Sequence, residues 1–253
     1  MGSHLTLVRC LLAIPGLVLR RDWLQAQLRE RPFNDLADEF EALTRDAERL
    51  DPEAREALVP LIALLLMQSQ SDLSSRLRIH AMATDKTSVL RLLRSYPRPS
   101  YFENEEAHPS AARSGKELSL GERKSLARRP ERHRFEQLLA DPHPQVIRQL
   151  LGNPHLTEND VVFLATLRPG RGSTISTLAE FPNWIVRPRV RMALIFSPAT
   201  PSSIAVPLVA LATRPELQEI ADSPSLHVVL RATAQELLER HPPLGPASTL
   251  TLQ

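Results

Sequence analysis

Arginine is the residue type whose placement in this chain could do chemistry. Arg148 in "QVIRQLL", Arg191 in "RVRMAL" and Arg231 in "VVLRATA" each sit in the first turns of a short apolar-periodic stretch. A planar guanidinium presents forked N–H donors that match a phosphate or a carboxylate. Three of them on one concave face could therefore grip an anionic partner. The densest basic run is Glu122–Arg134, "ERKSLARRPERHR", with Arg123, Lys124, Arg128, Arg129, Arg132 and Arg134. It reads first as a solvated helical face and second as an electrostatic footprint for nucleic acid. Trp184, in the insertion "NWIVRP" with Arg187 and Arg189 close behind, is either a binding anchor or a wedge between packed units.

No reaction centre emerges from the remaining candidates. "PGRGSTIST" from Pro169 places glycines before a helix start but lacks the Gly-Lys-Ser/Thr of a phosphate loop, so it reads as an interhelix loop. His133, His143 and His155 are spaced 10 and 12 residues apart, whereas helical metal pairs sit three to five apart. Glu103, Glu105, Glu106 and His108 read as a solvated acidic loop. Cys10 is the single cysteine, which rules out an internal disulfide framework and any multi-cysteine metal site. There is no Gly-x-Ser-x-Gly and no Cys–His arrangement. No catalytic residue, metal ligand or cofactor is assigned. The candidate contacts for a partner are Trp184, Arg187, Arg189, Arg191, Arg148, Arg128 and Arg132.

Composition sets the frame for these residues. The 253 residues are 42% hydrophobic and 24% charged, the proportions of a globular chain with a sizeable core. Proline (22) outnumbers glycine (8), as expected for many short elements ended by proline. Aromatics at 4% leave few rings for stacking bases, which disfavours a single-strand nucleic-acid reader. Charge is unevenly placed. Arg20–Leu61 holds 7 basic against 11 acidic residues, and Gly121–Arg191 holds 12 against 7. The basic half invites an anionic partner or an acidic protein, and a solvated mixed-charge surface is the plainer account. The apolar run Leu5–Leu19 contains Arg9 and the Pro15-Gly16 break and is too short to cross a bilayer. The expectation is a cytoplasmic protein without a membrane partner.

The elements that must hold these side chains are helices throughout. In Phe33–Leu50 the apolar residues recur at three- and four-residue spacing, with Asp35, Asp38, Glu39, Glu41, Asp46 and Glu48 on the other face. "DPEARE" starts a second helix with Asp51 at the N-cap and Pro52 at the first helical position, and Pro60 is expected to kink it. Further helices are predicted near Asp72–Ala83 and Ser88–Ser95, giving a helical region over 1–96. Residues 97–117 are polar, proline-studded and aperiodic, and read as a linker. Residues 118–241 then show internal repetition. Ser119, Thr157 and Thr200 act as helix caps 38 and 43 residues apart. Stops follow at Pro130, Pro169 and Pro215, then a second helix closing near Ala140, Ala179 and Ala221, then a third carrying the arginine. Three short helices per unit, unstable singly, bury a core when units stack. Residues 242–253 read as a disordered tail.

"DPHPQVIRQLL" resembles the second helix of a HEAT repeat, and "VIRQLLGNPHLTENDVVFLA" and "VRMALIFSPATPSSIAVPLVALA" are similar to bacterial leucine-rich repeat variant units. The resemblance covers about Leu118–His241. It implies an all-α, right-handed helical-repeat solenoid preceded by the N-terminal helices. It also implies that the repeated arginine pairs with an acid of its own or the next unit, for which Asp141 and Asp222 stand in place, and that Arg148 and Arg191 behave alike. The variant-repeat proteins can carry an iron–sulfur cluster, which one cysteine excludes. The expected function is a non-catalytic scaffold binding another protein through the repeat groove. The alternative is duplex-DNA binding or repair in the manner of the HEAT-like alkylpurine DNA glycosylases, with Trp184 and Asp160 as the aromatic and the acid.

Overall fold

The computed structural model describes residues 3–67, 69, 71–97, 118–129, 131–141, 143–167 and 171–241. Nearly all of the expected linker and the whole expected tail lie outside the described residues. Sixteen α-helices and one 3-10 turn, with no strand, make up the regular structure among the described residues. Among the described residues no helix is long and apolar enough to cross a membrane.

Six helices form the N-terminal region: α1 (Ser3–Ala13), α2 (Leu17–Glu30), α3 (Phe33–Glu48), α4 (Pro52–Leu65), α5 (Ser71–Ala83) and α6 (Thr87–Leu92). The others are α7 (Leu120–Ala127), a 3-10 turn (Arg132–Arg134) leading into α8 (Phe135–Leu139), α9 (Pro144–Leu151), α10 (Glu158–Thr166) and α11 (Gly172–Ala179). Then come α12 (Pro182–Ile185), α13 (Pro188–Phe196), α14 (Ser202–Val209), α15 (Arg214–Asp222) and α16 (Val228–Arg240). Local chemistry starts many of them. The Asp51 carboxylate accepts from the Ala54 amide at 2.8 Å. Ser119 with Glu122 and Thr157 with Asp160 each close a reciprocal capping box. A third box, Thr213 with Glu216, opens α15. Thr200 departs from the expectation. Pro201 takes the cap position of α14, and the buried Thr200 hydroxyl has no hydrogen-bond partner.

Helix stops are also local. At the end of α3 the Asp51 amide donates to the Asp46 carbonyl, the Leu50 amide donates to the Ala47 carbonyl, and Leu50 has φ +66°. This is a Schellman cap with leucine where glycine is usual. Asp85, φ +56°, does the same after α5, with the Lys86 amide on the Ala81 carbonyl.

α3 is less one-sided than its sequence suggests. Glu39, Glu41 and Glu48 are all buried. Each has a partner that explains it. Glu39 receives the Arg31 guanidinium at 2.6 and 2.9 Å. Glu41 accepts the Ser88 and Val89 amides at 3.2 and 2.8 Å, so it caps α6, whose own N-cap Lys86 makes no side-chain bond. Glu48 accepts from Arg91 and from the Ser88 hydroxyl.

Packing joins the two regions. α3 pairs with α4, α2 lies on α4, and α1 rests on α3 and α4. Beyond residue 118, α9 packs on α7 and α11, α10 on α13, α13 on α14, and α16 on α14 and α15. The short α12 touches both α2 and α4, and the buried apolar residues of both regions form a single core. A polar junction reinforces it. Arg91 on α6 bonds Glu48 and, at 2.9 Å, Glu236 on α16. Arg94 bonds Glu236 and the Thr233 hydroxyl, Arg240 lies 3.5 Å from Glu48, and the Tyr96 ring stacks on His227 at 4.2 Å. Burial pushes the Tyr96 hydroxyl up to about 12.

Candidate partner-binding surface

The arginines predicted as contacts divide by burial. Arg191 in α13 is 5% exposed and grips Glu216 of α15 with two bonds, 3.0 and 2.7 Å, besides donating to the Val186 carbonyl. Arg148 in α9 reaches Glu180, just past α11, with its side chain 46% exposed. Arg148 and Arg191 therefore each reach a glutamate farther along the chain, over 32 and 25 positions. The acids placed for this role do other work. Asp141 receives Arg123 at 2.6 Å and the His143 amide, and Asp222 receives the Gln218 amide nitrogen. Arg231 donates to the Ala221 carbonyl. Arg148 and Arg191 thus share a pattern and differ in environment.

A second set converges on the first turn of α10. Arg132 makes a fork on Asp160, 2.5 and 2.9 Å. Arg187 approaches Glu158 at 3.4 Å, and Arg189 donates to the Asn159 side chain at 2.8 Å. Asp160 gathers this because it already caps α10, receiving the Thr157 hydroxyl and amide. Burial works against its charge, yet Arg132 and Thr157 together hold the Asp160 carboxyl below the usual range. The cations stay accessible: the Arg132 and Arg187 side chains are 54% and 44% exposed. Arg128 extends the basic edge, donating to Gln149 at 2.6 Å.

Trp184 sits within this seam. It is 8% exposed, its indole N–H donates to the Leu151 carbonyl at the end of α9, and Arg187 lies 4.4 Å over the ring. The ring therefore fills the space between two helix sets and satisfies a helix-end carbonyl. Asn153 serves α7 similarly, bonding the Ala127 and Arg129 carbonyls at 2.9 Å. The acid and the aromatic that a glycosylase reading needs, Asp160 and Trp184, are both committed to these contacts.

The histidines are dispersed. His143 and His227 each cap a helix through Nδ1, at 3.2 Å from Gln145 and Val229 amides, and His133 projects into solvent beside Glu131. No group of three His, Cys, Asp or Glu that could hold a metal occurs among the described residues. Sequence reasoning missed Glu180, Glu216 and Arg55. The signal for Glu216 was present in the Thr213–Glu216 box, since a capping glutamate keeps an oxygen free for an arginine. No family model, curated protein or solved structure matches the chain.

Proposed function

We propose that this chain is a non-catalytic helical-repeat scaffold that binds another protein. Its helix sets stack as a right-handed solenoid of units like those of HEAT or leucine-rich repeat variant proteins, in the cytoplasm. Successive sets linked by Arg148–Glu180 and Arg191–Glu216 support the repeat. One observation carries the binding role. Arg132, from one segment, and Arg187 and Arg189, from another more than fifty positions on, meet at residues 158–160 with their guanidinium groups accessible. Pre-oriented arginines on a half-open surface suit the carboxylates of an acidic protein. Trp184 acts beneath Arg187 as its support, and Arg128 and Arg148 are further contacts.

The test is binding to an identified partner. Arg187→Glu with Arg189→Glu is expected to abolish capture while melting stays within about 1 kcal/mol of wild type, as for exposed pairs. Retained capture would end the proposal. A salt-dependent shift of duplex DNA that the same variant loses would instead establish the nucleic-acid alternative.

A further inference from the structure

We infer that the half-open cavity lined by α4, the start of α13 and the end of α14 is a binding site for a short aliphatic carboxylate, held by Arg55 and Arg191. The cavity measures about 100 Å³, and Leu58, Val59, Val186 and Leu211 supply apolar walls beside the two arginines. A cavity of about 150 Å³ admits benzene, so this one takes roughly four or five non-hydrogen atoms. That is a two- or three-carbon acid, or the carboxylate end of an Asp or Glu side chain.

Charge at the site is unbalanced. Arg191 sets one terminal nitrogen on both oxygens of Glu216 and the other on the Val186 carbonyl, and leaves Nε buried without a hydrogen-bond partner. Arg55 donates to the Leu211 and Ala212 carbonyls at 3.4 and 3.2 Å and makes no ion pair among the described residues. Among the described residues the two guanidinium groups thus have one carboxylate partner between them, Glu216 on Arg191. Burial, and then the charge of Arg191, push Arg55 below its ordinary value, with Glu216 opposing. His241 adds no counter-charge. Burial and the neighbouring Arg214 and Arg55 depress its imidazole, and its Nδ1 has no hydrogen-bond partner. An anion supplies the missing charge in a place where unpaired cations are costly.

The walls choose among anions. A carboxylate sets two oxygens on the arginines and its tail on Leu58, Val59 and Val186. A phosphate would press further charged oxygens against those apolar side chains, which is unfavourable. The acid is either free in solution or the end of an acidic residue on a docked protein. The second source rests on the scaffold reading and the first does not.

The experiment is calorimetric titration of the full chain at fixed ionic strength with propionate, N-acetyl-glutamate methylamide and phosphate. Saturable binding of propionate or the blocked glutamate is expected, with phosphate no better than chloride. Whichever of the two binds tighter identifies the source. Arg55→Met should weaken binding at least about tenfold, the minimum for losing a hydrogen bond to a charged group. Val59→Phe should block the cavity without altering charge, and it decides the matter if Arg55→Met does not fold. No saturable binding, equal binding of phosphate, or unchanged binding by a folded variant would overturn the site.

Discussion

Two arginine–glutamate pairs in this molecule use the same chemistry in opposite surroundings. Arg91 with Glu48 joins α6 to α3 with side chains 6% and 4% exposed, whereas Arg148 with Glu180 has its arginine 46% exposed. Water decides what each is worth. Around Arg148 solvent screens the pair and can replace it, so the link contributes little. At Arg91 the carboxylate has little water to fall back on; Ser88 and Arg240 complete its shell, and Glu236 bonds Arg91 itself. The buried pair fixes how α3 meets α6 and α16, and the exposed one leaves its guanidinium open to water.

The comparison is broken most directly at its buried end. Arg91→Ala leaves Glu48 with the Ser88 hydroxyl and, as its one cation, the more distant Arg240, and should cost about 3–5 kcal/mol by denaturant unfolding, the usual result of stripping one partner from a buried pair. Arg191→Ala is intermediate. Its pair with Glu216 is buried on the arginine side, 6%, and half as deep on the other, 14%, so about 1.5–3 kcal/mol is expected. Arg148→Ala should cost less than about 1 kcal/mol in the same measurement, and a loss as large as that of Arg191→Ala would restore the idea that the two are equivalent.

Acid should sharpen the same contrast. Burial raises the Glu216 and Glu236 carboxyls, but the Thr213 amide and Arg191 at the first, and Arg91 and Arg94 at the second, outweigh it and hold both below the ordinary 4.5. The unfolded chain therefore takes up protons first. Their contribution is complete above about pH 4.5 and is lost as pH falls through the depressed values. Melting temperature against pH should show this arm, and Glu216→Gln should flatten it. His241, lowered from 6.5, works in the same direction at higher pH: its contribution is full above 6.5 and declines on acidification.

What the sequence disclosed depended on range. Asp51, Ser119 and Thr157 cap as expected because a cap is decided within four residues. The all-helical class followed from periodicity for the same reason. Glu41 and Glu48 looked like surface because their partners, Ser88, Val89 and Arg91, lie more than forty positions on. The arginine positions were visible, and their acids were not, since Glu180 and Glu216 are selected by how helices stack. Trp184 showed itself as important, but only packing reveals that its indole serves the Leu151 carbonyl.

The contact between Arg91 and Glu236 spans 145 positions of chain. Linear arrays of helical units melt piecemeal, because each unit answers only to its neighbours. Here the last described helix answers to the sixth, so α16 cannot fray independently of the N-terminal helices. Heat unfolding should accordingly be all-or-none, with calorimetric and van't Hoff enthalpies equal. Refolding should be slow for an all-helical chain, because so distant a closure must be reached before its contacts are made.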